Sequence, residues 1–98
     1  MPVYAIAQNT VTDPDRMQEY LDRVGPTVPE GVRMLASDEH PEVVEGDGPA
    51  IRTVLLEFPD RDAFDAWYQS DEYQELAAIR MAAAPGTFIL VEGVTADA

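Results

Sequence analysis

Four short β-type runs are interrupted by two helix-start signals, in the order strand, helix, strand, strand, helix, strand, and that order most restricts the folds open to this chain. The first run, Val3 to Gln8, alternates, with Tyr4, Ile6 and Gln8 on one face and Val3, Ala5 and Ala7 on the other. Thr12-Asp13-Pro14 marks a helix start, with Asp13 as N-cap and Pro14 at the first helical position. Met17, Tyr20, Leu21 and Val24 recur at helical spacing until Gly25-Pro26 stops the helix. Val32 to Ala36 reads as a strand, Ser37 to Pro41 as a polar turn, Val43-Val44-Glu45-Gly46 as renewed extended structure, and Gly46 to Pro49 as another turn.

Ile51 to Phe58 is the strongest strand, and Pro59-Asp60 ends it. Asp60 is placed to cap a helix carrying Phe64, Trp67 and Tyr68. Ser70 followed by Asp71-Glu72 is a second N-cap with acids in its first turn, so the helix is expected to break there. Its second segment runs through Leu76, Ile79 and Arg80 to the alanines before Pro85-Gly86, and Thr87 to Gly93 is the last strand. A single domain over residues 1–94 is expected, with 95–98 as a tail.

This is the split, ferredoxin-like β-α-β-β-α-β order, an α+β fold. Right-handed crossovers lay both helices on one face of a four-stranded antiparallel sheet. The other face is also apolar: Ile51 and Leu55 oppose Val54, Leu56 and Phe58, while Ile89 and Val91 oppose Phe88 and Leu90. An open apolar face with no helix to cover it predicts a homodimer, two sheets packed face to face as a dimeric α/β barrel.

Composition narrows the chemistry. The chain has 19 acidic residues against 6 basic ones, a formal net charge of −13, and every basic residue is arginine. The missing lysine removes Schiff-base chemistry and a phosphate-loop lysine. So negative a surface repels polyanions, which argues against nucleic acid and anionic membrane as partners. The absence of cysteine removes disulfides and zinc–thiolate sites. No apolar run is long enough to span a bilayer and no basic-then-apolar leader is present, so the expectation is a cytoplasmic protein. A lone histidine, His40, flanked by acids in a loop, predicts no metal site, and no motif calls for a cofactor. An RNA-recognition domain shares the element order, but its central strands need exposed aromatics among basic residues, and Ile51 to Phe58 offers one arginine.

The candidate site lies in the cleft between sheet and helices. Arg52 is in phase with Val54, Leu56 and Phe58, and Arg80 falls one helical face along from Tyr73 and Ala77. Each arginine either pairs with Glu45, Glu57 or Glu92, or fixes an anionic group of a ligand. Phe64, Trp67, Tyr68 and Tyr73 are spaced either as core or as a flat wall for a cyclic ligand, with Tyr4 on the first strand facing the same space. The candidate ligand-binding residues are therefore Tyr4, Arg52, Trp67, Tyr73 and Arg80, and the weaker catalytic candidates Arg52, Arg80, Glu45 and His40.

These residues also carry a resemblance. Tyr4, Thr12-Asp13-Pro14, Tyr20, Glu45-Gly46, Arg52, Leu56-Glu57-Phe58-Pro59, Ala66-Trp67-Tyr68, Ser70, Tyr73, Arg80 and Val91-Glu92-Gly93 make the chain resemble the domain of unknown function 1330 family, in the dimeric α/β-barrel superfamily. The resemblance runs from Tyr4 to Gly93 and implies the dimeric ferredoxin-like fold without implying a chemistry. Three readings of function stay open. One is binding of a small organic molecule, anionic or aromatic, in the cleft. Another is a cofactor-free enzyme of oxygenase, cyclase or isomerase type, in which Arg52 and Arg80 stabilise an anionic intermediate and a tyrosine or Glu45 moves a proton. The last is a non-catalytic homodimeric interaction module.

Overall fold

Strands β1 (Val3–Asn9), β2 (Arg33–Asp38), β3 (Arg52–Phe58) and β4 (Gly86–Glu92) form one antiparallel sheet in the order β2-β3-β1-β4 in a computed structural model that describes residues 1–48 and 50–94. Helix α1 (Pro14–Val24), followed by a short 3-10 turn at Gly25–Thr27, links β1 to β2. Helices α2 (Arg61–Tyr68) and α3 (Asp71–Ala83) link β3 to β4. This is the ferredoxin-like arrangement.

Local chemistry sets each helix start. The Asp13 carboxylate accepts from the Arg16 N–H at 3.2 Å, and the Asp60 carboxylate from the Ala63 N–H at 2.7 Å. At the break, the Ser70 hydroxyl accepts from the Tyr73 N–H at 3.2 Å and donates to the Trp67 carbonyl at 2.7 Å. One side chain thus closes α2 and opens α3.

Strand register then decides what faces the helices. Val3, Ala5, Ala7 and Asn9 of β1 lie opposite Phe58, Leu56, Val54 and Arg52 of β3. The core forms on this face, where Val3, Ala5, Val54 and Phe58 meet Met17, Tyr20, Trp67, Tyr73, Leu76 and Ile79. Phe58 and Tyr73 are fully buried, each contributing about 1.5–3 kcal/mol through apolar burial. On the opposite face Ile6 has Leu55 on one side and Ile89 on the other, Tyr4 has Glu57 and Val91, and Gln8 has Thr53 and Thr87. Ile89 and Val91 are exposed there.

Two expectations are corrected. Val43-Val44-Glu45-Gly46 is not a strand: it pairs with no neighbour, Val44 is exposed, and Gly46 sits at φ +100°. An extended segment with no ladder partner has nothing to stabilise it. Conversely, Ser37 and Asp38 are strand rather than turn, because Val54 and Thr53 of β3 supply their partners. A bulge between Met34 and Ala36 places one extra β2 residue against β3. The expected tail at 95–98, and Pro49 of the expected turn, lie outside the described residues. No described helix is long and apolar enough to cross a membrane.

Gly86 allows β4 to close on the end of β1. A Cβ there would collide with the Gln8 carbonyl oxygen and lie 2.6 Å from the Asn9 Cα. Gly86→Ala is expected to lower stability in urea by about 3 kcal/mol, the upper range for overpacking. Gly25→Ala, with nothing within 4 Å of its Cβ, meets no such collision and is expected to change it by less than about 1 kcal/mol, the unfolded-state entropy gain being offset by the strain of a Cβ-bearing α-region residue before Pro26. Equal effects of the two substitutions would contradict the tight β1–β4 approach.

Candidate functional site

A cavity of about 350 Å³ opens between α1 and the helix-facing side of the sheet. Helices α1 and α3 pack on each other, whereas every residue of β2 is exposed. The cleft walls are apolar over most of their extent, with Met17 and Val24 from α1, Met34 from β2, Val54 and Leu56 from β3, and Phe88 from β4. Its polar side chains are Asn9, Tyr20, Arg52, Trp67, Tyr73 and Arg80; among the described residues no carboxylate lines it.

Arg80 is the unusual member. It lies on the buried side of α3, in line with Tyr73, Leu76 and Ala77, and is only 8% exposed. Its Nε is buried with no hydrogen-bond partner, and among the described residues its guanidinium makes no hydrogen bond and no ion pair. Among the described residues it lies against the Phe88 ring, whose centroid is 5.1 Å from the guanidinium carbon. An unsatisfied buried donor costs about 1–3 kcal/mol; a desolvated cation–π contact returns on the order of 2 kcal/mol but leaves the charge with no counter-ion among the described residues.

Arg52 is held differently. Its Nη1 donates to the Asn9 Oδ1 directly across the β1–β3 ladder, at 3.2 Å, and its Nε donates to Glu39 at 3.3 Å. Asn9 is itself 2% exposed. The expected glutamate partners were Glu45, Glu57 and Glu92; the observed one is Glu39, while Glu57 pairs with Arg33 at 3.6 Å. The bulge and the longer β2 account for the change, because they bring the chain after Asp38 level with the start of β3.

The Tyr20 and Tyr73 hydroxyls lie 2.9 Å apart and join α1 to α3. Burial first, and then the neighbouring Tyr73, raises the Tyr20 hydroxyl far above the usual tyrosine range, so it stays protonated. Two hydroxyl protons are present and the shared hydrogen bond uses one. Neither oxygen has another side-chain partner among the described residues, so the pair retains one free O–H donor.

Trp67 serves core and cleft together. Its ring centroid is 3.9 Å from that of Tyr73 and 5.4 Å from that of Phe58, and its Nε1 donates to the Thr27 hydroxyl at 3.1 Å. Phe64 and Tyr68 stack on each other beside it at 5.5 Å. At 5% exposure, most of the Trp67 surface is committed to packing.

Three sequence candidates are not brought together with these residues. Tyr4 is on the opposite face of the sheet, across from Glu57, because its parity along β1 is that of Ile6 and not of Ala5. His40 is an exposed residue whose backbone N–H donates to the Asp38 carboxylate at 2.9 Å, and Glu45 is exposed in the segment that forms no strand. Neither lines the cleft. Conversely, Asn9, Tyr20 and Glu39 join the site unanticipated. Asn9 had a legible signal, a polar residue in phase with Val3, Ala5 and Ala7 on the core face. Tyr20 read only as helix core, and Glu39 depends on a register the sequence does not show. Among the described residues no group of histidine and acidic side chains is disposed to hold a metal ion.

Solved structures share this fold. A protein of unknown function from Rhodopseudomonas palustris superposes with a TM-score of 0.75 at 18% identity, covering 96% of this chain and 83% of that one. A dimeric ferredoxin-like protein of unknown function from Jannaschia sp. CCS1 gives 0.68 at 18% identity, covering 95% and 100%. SnoaB, a cofactor-independent oxygenase from Streptomyces nogalater, gives 0.64 at 17% identity, covering 96% and 94%. Identities this low speak for the fold alone. No curated protein matches the sequence. The model of the family described as Domain of unknown function (DUF1330) matches residues 2–94, and the chain belongs to that family.

Proposed function

We propose that this protein binds a small organic anion with a flat, apolar body in the cleft between α1 and the sheet. The observation that carries this reading is Arg80, a buried cation with no hydrogen-bond or ion-pair partner among the described residues, on the wall of an apolar cavity. A protein that keeps such a group sacrifices stability, which is the usual signature of a binding or catalytic requirement. The hydrogen-bond inventory points the same way. Arg80 and the tyrosine pair offer unused donors, and among the described residues no lining carboxylate receives them, so the complementary ligand brings acceptor oxygens. Val54, Leu56, Trp67 and Phe88 supply apolar surface for its body, and about 350 Å³ is at the small end of organic-ligand sites.

The same donors would stabilise an enolate or phenolate, and the fold likeness to a cofactor-independent oxygenase supports a catalytic version of this reading. In it, Arg80 stabilises the anionic intermediate and the free O–H of the tyrosine pair donates a hydrogen bond to it.

The functional unit in this proposal is a homodimer joined through the open sheet face, where the Ile6–Leu55–Ile89 row is apolar, Ile89 is 53% exposed, and one fold neighbour is dimeric.

Three measurements test these readings. Titration of the intrinsic Trp67 fluorescence with a panel of small aromatic acids is expected to give saturable quenching or a spectral shift, and Arg80→Met to weaken it about tenfold or more. No response to any acid would remove the ligand reading. In urea, Arg80→Met is expected to be more stable than the native protein by about 1 kcal/mol, since a buried unpaired charge gives way to an apolar side chain; a less stable variant would mean that Arg80 has a structural partner. Light scattering on the native protein is expected to give twice the chain mass of 10.8 kDa, and Ile89→Glu the chain mass itself. A native monomer would overturn the dimer.

A further inference from the structure

The cleft contains two arginines, and among the described residues one is paired and the other is not. Arg52, with a side chain 13% exposed, is satisfied on one side by the buried Asn9 and on the other by the Glu39 carboxylate. Glu39 is 68% exposed and lies just beyond the end of β2, outside the cleft lining. It reaches inward and cancels a cation that the cleft would otherwise present. Among the described residues Arg80 has no such counter-ion. Taken over the described lining residues and this one outside carboxylate, the site carries a net charge of about one positive unit: two guanidinium groups and one carboxylate.

We propose that Glu39 is the specificity-determining residue of the cleft: by occupying Arg52 it leaves a single free cation, and so selects an organic monoanion over the corresponding dianion. The inference rests on the ligand reading above and adds the charge of the ligand to it. A second ligand carboxylate entering an apolar cleft must find its own partner or lose hydration uncompensated. With Glu39 in place, the partner is taken. Glu39 also adds to the surrounding field, since Asp38, Glu42, Glu45 and Asp47 lie nearby in sequence and the whole chain carries −13. Asn9 has a supporting part: its Oδ1 holds Arg52 from the β1 side, so the guanidinium stays at the cleft whether or not Glu39 is bound.

The test uses the full chain and two probes that share one ring system, naphthoate as monoanion and naphthalenedicarboxylate as dianion, with affinities from calorimetry. The native protein is expected to bind naphthoate more tightly than the dicarboxylate. Glu39→Gln is expected to tighten the dicarboxylate about fivefold, about 1 kcal/mol, the upper range for an ion pair with an exposed acid, and to tighten naphthoate by clearly less, through the weakened field alone. Adding Arg52→Met to Glu39→Gln should abolish that gain. Equal tightening of both probes would reduce Glu39 to one more unit of negative field and overturn the proposal. So would an unchanged ratio between them, while leaving the ligand reading intact. A native protein that binds neither probe would remove the ligand reading and this inference with it. Glu39 is mostly exposed, so an unchanged unfolding midpoint for Glu39→Gln confirms that affinity alone is being read.

Discussion

The side chain of Ser70 organises much of this molecule. Its hydroxyl accepts from the Tyr73 N–H in the first turn of α3 and donates to the Trp67 carbonyl in the last turn of α2, so one continuous stretch becomes two helices. Had the helix run straight, Trp67 and Tyr73, six residues apart, would point about 120° away from each other around its axis. With the break, their ring centroids come within 3.9 Å and both meet the sheet face beside Phe58. The side of α3 that carries Tyr73 also carries Ala77 and Arg80, so the break that builds the aromatic core also delivers a guanidinium to the cleft wall.

From there the consequences follow through neighbours. Tyr73 reaches Tyr20 and joins α3 to α1 through their hydroxyls, at the cost of leaving one O–H without an acceptor. Arg80 lies against Phe88 without a carboxylate. On the strand side, the close β1–β4 approach at Gly86 seats Asn9, which holds Arg52 across the ladder. Core and cleft therefore share residues, and Trp67 and Tyr73 belong to both. A protein built this way cannot relax its site independently of its fold, because interiors this densely packed transmit displacement.

The open face of the sheet is the counterpart of the cleft. One chain supplies helices for one face only, and the strands alternate so that Ile6, Leu55 and Ile89 form an uncovered apolar row. The division of labour is clear in β1, where Val3, Ala5 and Asn9 are buried beneath the helices while Tyr4, Ile6 and Gln8 are partly or fully open. The same one-residue parity removes Tyr4 from the cleft and places Asn9 in it.

How much was legible in advance divides along the range of the interaction. The caps at Asp13, Asp60 and Ser70, the strand parities and the element order are read within a few residues of each position, because local hydrogen bonds and alternation decide them. That was enough for the ferredoxin-like fold and for the phase that puts Arg52 and Arg80 on inward faces. Pairing was not legible. Whether Val43 to Gly46 finds a neighbour, how far β2 runs, and that Glu39 and not Glu45, Glu57 or Glu92 meets Arg52 all depend on register between strands distant in sequence. The free state of Arg80 is likewise a tertiary fact: a sequence with 19 acidic residues suggests abundant partners, and only packing decides that none of those described reaches it. Local physics determined the fold and the faces of this protein; long-range register and packing decided which charges are cancelled and which one is left for a guest.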